Sequence, residues 1–96
     1  MIKHIVFWKL RCVPEKEQNA QKMKELLEGL VGVVPGLISA SVGTNITPGD
    51  YDIALISELK DEEALAVYQN HPAHVKVKEF VHSAVCARAC VDFTTA

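Results

Sequence analysis

The sequence predicts one α+β domain in which a four-stranded antiparallel sheet carries its helices on one face. Four short segments have the apolar alternation or the doubly apolar character of strands, and two longer segments have apolar residues at helical spacing. Their order is β-α-β-β-α-β, the split βαβ arrangement of ferredoxin-like folds. A chain of 96 residues forms one domain, which we expect to span residues 1–96.

The first strand and the first helix occupy the N-terminal third of the chain. Residues 2–10 are apolar in both alternating sets at their centre, which indicates a strand covered on both faces. Pro14 is predicted to open the helix, since a first-turn proline is tolerated there, and Glu15 and Glu17 suit the positive helix start. The apolar stripe of the helix comprises Ala20, Met23, Leu26, Leu27 and Leu30.

Turn signals separate the next elements. The turn at residues 35–36 ends the helix, and the loop around residues 48–50 separates strands predicted at 37–45 and 52–59. Asp61 is the predicted N-cap of the second helix. Pro72 interrupts that helix and starts a new helical segment that runs to about Val81.

The last strand is predicted at residues 84–93. Strict alternation assigns its side chains to two opposite faces of the sheet. One face receives Val85, Ala87, Ala89, Val91 and Phe93, and the other receives Cys86, Arg88, Cys90 and Asp92.

The composition predicts a homodimer. Hydrophobic residues make up 49% of the chain, whereas a domain of this size buries only ~60–65% of its unfolded surface. Ile5, Phe7, Ala87 and Ala89 lie on the sheet face away from the helices. An uncovered apolar face marks a partner site, and two such faces related by a two-fold axis would close into an α/β barrel.

Charge and hydropathy argue against nucleic acid and membranes as partners. The net charge is −2 and no basic stripe is present, so we expect no nucleic acid. No apolar run approaches the ~20 residues of a membrane span, and no signal-peptide pattern opens the chain. We therefore expect no membrane association and a cytoplasmic location.

The three cysteines suit that compartment. Cys86 and Cys90 lie four residues apart in the predicted strand, which separates their Cα atoms by ~13 Å, and a disulfide requires less than ~7 Å. Together with Cys12, they are expected to be free thiols.

Short segments spread over nearly the whole chain resemble the stress-responsive A/B barrel family, also called Dabb. The most specific segment is Tyr68-x-x-His71-Pro72-x-His74, which follows the third predicted strand. The weaker segments are IKHIV at residues 2–6, VPG at 34–36, GTN at 43–45, YD at 51–52 and DF at 92–93. The resemblance implies a dimeric α/β barrel, and many family members have no assigned activity.

One plant member of the family is similar to a polyketide cyclase that closes a ring by intramolecular aldol condensation. The resemblance implies that Tyr68 and His74 match its catalytic tyrosine and histidine, and that His4 matches a pocket histidine. Three departures argue against the same ligand. The first helix lacks bulky aromatics, Val85 stands where the cyclase has a tryptophan near the last strand, and Arg88 on the last strand replaces an apolar residue.

Tyr68 and His74 are the candidate catalytic pair, because they flank the helix break at Pro72 and can face one cleft. The positive helix start should lower the pKa of His74 and keep its imidazole neutral, so it can remove a proton beside a carbonyl. The tyrosine hydroxyl can donate to the resulting enolate oxygen. A purely structural Tyr–His hydrogen bond at the helix corner remains the alternative.

The remaining candidates have both a pocket and a structural interpretation. His4, Val6, Trp8 and Leu55 are expected to line the cleft, although a core position suits His4 equally well and suits Trp8 better. Arg88 can hold an acidic ligand or pair with a carboxylate such as Glu58. His82 is expected at the surface.

A metal site is not expected. His71 and His74 are spaced i, i+3, but the chain offers no third ligand at a recognisable spacing. His71 can instead cap the helix that starts at Pro72, or contribute to the pocket. Glycine-rich phosphate loops and nucleophile elbows do not occur, so we expect no cofactor.

Three functions remain open at this point. The first is a homodimer of undetermined activity with a small-molecule pocket between helices and sheet. The second is a cofactor-free lyase, cyclase or isomerase that uses the Tyr–His pair. The third, an antibiotic-biosynthesis-type monooxygenase, follows from fold analogy alone.

Overall fold

The computed structural model describes residues 1–95. A four-stranded antiparallel sheet has the order β2-β3-β1-β4 and carries three helices on one face, which confirms the α+β ferredoxin-like prediction. The elements are β1 (Ile2–Leu10), α1 (Lys16–Glu28), β2 (Leu37–Thr44), β3 (Ile53–Leu59), α2 (Glu62–Asn70), α3 (Pro72–Ala84) and β4 (Val85–Thr94).

The start of α1 differs from the prediction. Pro14 lies in a turn before the helix, in which the Lys16 N–H donates to the Val13 carbonyl over 3.1 Å. Because this turn precedes the helix, helical geometry begins only at Lys16, after Glu15. Leu30 lies beyond the helix end but is buried with the rest of the apolar stripe, because the following turns fold it back onto the core.

The break at Pro72 divides the second helical region into α2 and α3, as the sequence predicted. Asp61 caps α2, with its Oδ1 accepting from the Ala64 N–H over 2.8 Å. His71 caps α3, with its Nδ1 accepting from the Ala73 N–H over 3.1 Å. Because each cap satisfies an otherwise unpaired N–H, the two helices meet at a fixed corner.

A β-bulge in β4 makes the predicted face of Val85 wrong. Lys9 pairs with Ala87 and Leu10 pairs with Val85, so β4 contains one additional residue, Cys86. The additional residue reverses the alternation before Ala87. Val85 is therefore buried on the helix side with Leu10.

The suggested pairing of Arg88 with Glu58 is also wrong. Within the described residues, β4 pairs only with β1, and Arg88 lies opposite Trp8 on the helix side of the sheet. Glu58 lies on β3, opposite Lys3, and accepts a hydrogen bond from the Ser39 hydroxyl. The two side chains therefore belong to different strands and different faces.

The two faces of the sheet differ in burial. The helix side contains the hydrophobic core, whereas the opposite side, here called the open face, exposes large apolar side chains. On the open face, Phe7 is 43% exposed and Val91 is 61% exposed. The cysteines Cys12, Cys86 and Cys90 are all free. Within residues 1–95, no helix has the length and apolar character needed to cross a membrane.

Candidate functional site

A cavity of about 220 Å³ lies between the helices and the sheet. It is here called the helix–sheet cavity. Of the eight predicted site residues, seven line it, and His71 is not among them. The lining residues are His4, Val6, Trp8, Leu27, Leu55, Tyr68, Gln69, His74, Lys78, Val81, His82 and Arg88.

The helix break at Pro72 determines how His74 is held. In a continuous helix, the N–H of residue 72 would donate to the Tyr68 carbonyl, but proline has no N–H. His74 Nδ1 lies 2.8 Å from that carbonyl oxygen, and the His71 N–H makes a longer contact of 3.4 Å. A carbonyl only accepts, so Nδ1 must carry the proton. In the neutral ring, Nε2 therefore carries the lone pair.

Burial keeps this imidazole neutral. His74 is 6% exposed, and the loss of hydration lowers its pKa from 6.5 to about 4. The bond to the Tyr68 carbonyl opposes this change, and the charges of Lys78 and Arg88 add to it. The direction agrees with the sequence-based expectation, but its main cause is desolvation.

Tyr68 packs directly against His74 and His4. The Tyr68 and His74 rings stack with centroids 3.9 Å apart, and the His4 ring meets Tyr68 edge-on at 5.7 Å. Burial raises the pKa of Tyr68 to about 12. The phenol is therefore protonated near neutral pH and can donate a hydrogen bond.

Ser57 lies next to this group but was not predicted as a site residue. It is fully buried opposite His4 in the sheet. Its Oγ has no hydrogen-bond partner within residues 1–95. The donor and the acceptor of this hydroxyl therefore remain available beside the Tyr68 side chain. A buried hydroxyl without a partner is unfavourable, so a ligand that bonded to it would relieve this cost.

Asp92 orients His4, and sequence reasoning missed this contact. The β1–β4 register places the two residues opposite each other, and His4 Nδ1 hydrogen-bonds to the Asp92 carboxylate. Nδ1 is the donor in this pair, since a carboxylate accepts. The signal was the antiparallel register, which pairs the start of β1 with the end of β4.

Two groups of side chains contain the donor atoms that a metal ion could use. His71 and His74 do not form a pair, since each Nδ1 is engaged in a backbone hydrogen bond. His4, Cys90 and Asp92 have ligand atoms within 4.8 Å of one another. However, His4 and Asp92 already bind each other, and burial raises the pKa of the Cys90 thiol, which disfavours the thiolate that a metal requires.

The cavity lining also includes residues that were not predicted as site residues. Lys78, Val81 and His82 follow the predicted His74 on α3, and all four lie on one face of that helix. Their i, i+4, i+7, i+8 spacing is the signal that could have identified them. Leu27 and Gln69 complete the additions, and Leu27 was predicted as core.

Two larger cavities lie elsewhere. One of about 510 Å³ opens on the open face beside Phe7 and Tyr51, and one of about 540 Å³ lies between α1 and β2. Within the described residues, neither of these two cavities is lined by a histidine. The helix–sheet cavity is smaller than both, but three histidines line it, and histidine is the side chain most often used for proton transfer.

The lowered pKa of His74 predicts a pH-dependent stability. Between its unfolded pKa of 6.5 and its native pKa of about 4, the unfolded chain binds more protons at this site. The free energy of unfolding should therefore decrease as the pH falls through this window, by at most ~1.4 kcal/mol for each unit of difference. His74→Gln should remove this part of the decrease, measured by urea unfolding at about pH 6.5 and about pH 4.5. An equal decrease in both proteins would contradict the prediction.

Comparison with known proteins places the fold in a family. The family model described as the stress responsive A/B barrel domain (Dabb) matches residues 2–95. No curated protein matches the chain significantly.

Three solved structures represent the similar folds. A dimeric protein of unknown function from Bacteroides fragilis is 36% identical, with a TM-score of 0.89 over 98% of this chain and 95% of that one. A dimeric ferredoxin-like protein of unknown function from Thermobifida fusca is 23% identical, with a TM-score of 0.81 over 98% and 90%. A putative antibiotic biosynthesis monooxygenase from Nitrosomonas europaea is 12% identical, with a TM-score of 0.80 over 99% and 98%. The family model covers nearly the whole chain, and the chain belongs to the stress-responsive A/B barrel (Dabb) family.

Proposed function

We propose that this Dabb protein is a cofactor-independent enzyme that transfers a proton on a small carbonyl compound. Its reaction class would be that of a lyase, cyclase or isomerase. The observation that carries the proposal is the His74 ring, whose Nδ1 is bound to the Tyr68 carbonyl while the ring lines the cavity. Nε2 is then the basic atom available to a bound molecule.

The proposed step uses two side chains. His74 Nε2 removes a proton from the carbon beside a carbonyl, and the C–H electron pair forms the enolate double bond. The Tyr68 hydroxyl donates a hydrogen bond to the enolate oxygen and stabilises its negative charge. In an isomerisation, another carbon of the conjugated system then takes the proton from His74. In a cyclisation, the enolate carbon attacks a second carbonyl, whose oxygen receives the proton from His74.

His4 and Ser57 are proposed to support this step. Asp92 holds His4 in one tautomer and orientation, in the manner of a carboxylate–histidine pair. His4 Nε2 can then hydrogen-bond to a polar group of the substrate. Ser57 can donate a hydrogen bond to the Tyr68 oxygen. This bond would make the Tyr68 hydroxyl a stronger donor to the enolate oxygen.

Two other functions would give different experimental results. A non-catalytic binding protein would use the same cavity but would not exchange protons on its ligand. A monooxygenase would consume oxygen, and its support is the similar fold of the Nitrosomonas protein, since 12% identity shows the fold alone. The paired base and donor in the cavity favour proton transfer over both.

We also propose a homodimer that joins through the open face, with a cytoplasmic location. The related Bacteroides and Thermobifida proteins are dimeric. The exposed apolar side chains of the open face, among them Phe7 and Val91, supply the surface that such a contact would bury. Three free cysteines are typical of a reducing compartment.

Substitution of the pair should separate catalysis from structure. We expect His74→Gln to reduce the rate by ~10²–10⁴-fold, because it removes the base. Tyr68→Phe should cost less, because one donor is lost while the ring remains. The assay is deuterium incorporation from D₂O beside the carbonyl of small ketones and keto acids, followed by NMR.

The matched control for this experiment is His71→Asn. It removes a histidine three residues from His74 but preserves the cap of α3, because asparagine is also a good N-cap. The control should retain the wild-type rate. A wild-type protein that accelerates exchange on none of the compounds, or an unchanged rate in His74→Gln, would refute the enzyme proposal.

A charge on the open face should disrupt the dimer. Phe7→Asp would place an unpaired carboxylate in the proposed interface and should give a monomer or unfolded chain in sedimentation experiments. Val67→Asp is the control, because Val67 lies on α2 and is equally exposed at 43%. The control should sediment as a dimer. Wild-type protein that is monomeric at micromolar concentration would exclude the proposed assembly.

A further inference from the structure

We propose that the helix–sheet cavity selects a small carbonyl compound that carries a carboxylate, held at the cavity mouth by Arg88 and Lys78. This inference rests on the proposed function and adds a substrate class to it. The evidence comes from the charge of the lining, the position of the two cations and the size of the cavity.

The cavity lining is cationic although the chain is acidic overall. The chain has a formal charge of −2, but the described cavity lining includes Lys78, Arg88 and three histidines and no aspartate or glutamate. Asp92, the nearest carboxylate on β4, is bound to His4. Nothing in the lining therefore neutralises the two permanent positive charges.

Both cations line the same cavity. Lys78 lies one helical turn after His74 and its Nζ donates to the Gln69 carbonyl over 2.7 Å, which fixes the ammonium near the cavity. Arg88 reaches the same space from β4, opposite Trp8. Neither forms an ion pair with a carboxylate in the part of the chain that the structure describes.

The influence of these charges reaches the proposed base. Lys78 and Arg88 both lower the pKa of His74, so both lie within electrostatic range of the imidazole. An anionic group bound between them would lie close to His74. A carbonyl compound with a carboxylate at one end would then place its enolisable carbon toward the base and its acid toward the cations.

The remaining walls limit the size of the ligand. Val6, Trp8, Leu27 and Leu55 form apolar surfaces that suit a short carbon chain. The volume of about 220 Å³ is below the ~300–1,000 Å³ of sites for drug-sized molecules. A short-chain keto acid suits both the volume and the charge.

The test compares an acid with its neutral ester. Levulinate and methyl levulinate share a ketone and a carbon chain but differ in charge. Binding is followed by NMR shifts of the Trp8 indole and the His74 ring in the wild-type protein. We expect levulinate to bind about tenfold or more tightly than the ester, since a charge-assisted hydrogen bond is stronger than a neutral one.

Charge variants test whether the preference for levulinate over its ester arises from the two cations of the cavity. Arg88→Gln and Lys78→Gln should each reduce levulinate binding and leave ester binding unchanged. Lys76→Gln removes the same charge from an exposed position on α3 outside the cavity lining, and it should leave both unchanged. Equal binding of acid and ester by the wild-type protein, or equal losses in Lys76→Gln and Lys78→Gln, would overturn the proposal.

Two further results separate this inference from its alternatives. Inorganic phosphate that displaces levulinate at equal concentration would overturn the choice of carboxylate over phosphate. Acid-selective binding without deuterium exchange would support the anion site and refute the enzyme proposal. Deuterium exchange at equal rates on the acid and the ester would support the enzyme proposal and refute the anion site. The two proposals can therefore fail independently.

Discussion

The hydrogen bond from His74 to the Tyr68 carbonyl is the contact on which the site depends. Pro72 ends α2 and removes the N–H that would have satisfied this carbonyl. His74 supplies the missing donor, and in doing so it fixes its own tautomer and brings its ring against the tyrosine at 3.9 Å. One proline therefore positions the helix corner, the base and the phenol together.

The sheet supplies the second half of the site through its register. Antiparallel pairing of β1 with β4 sets His4 against Asp92 at one end of the cavity and Trp8 against Arg88 farther along. The β-bulge at Cys86 matters here, because it changes the face of Val85 without changing that of Arg88. The carboxylate that orients His4 and the cation at the mouth thus come from one strand.

Most of the fold could be predicted because it follows from local signals. The run of residues 2–10, which is apolar in both alternating sets at its centre, predicted the bounds of β1, and Pro72 predicted the division of α2 from α3. The face of Val85 could not be predicted, because a bulge depends on pairing with a partner strand. The start of α1 was placed too early, since Pro14 suits a preceding turn as well as a first helical turn.

The candidate site was predicted only in part, because only some of its contacts join residues that are close in sequence. Tyr68 and His74 lie close in sequence around a helix break, so their proximity is local. The His4–Asp92 pair and the unpartnered Ser57 hydroxyl arise from strands that are distant in sequence. His71 was assigned to the pocket as well as to a cap, and the geometry of its Nδ1 places it at the cap.

The tautomer and the protonation of the His74 ring decide whether it can act as the proposed base. A ¹⁵N NMR spectrum of the folded protein at neutral pH distinguishes the two tautomers of a neutral imidazole and the imidazolium. We expect a protonated Nδ1 and an unprotonated Nε2, with no imidazolium. A protonated Nε2 in either a neutral or a charged ring would contradict it, because no lone pair would then be available to remove a proton from a bound molecule.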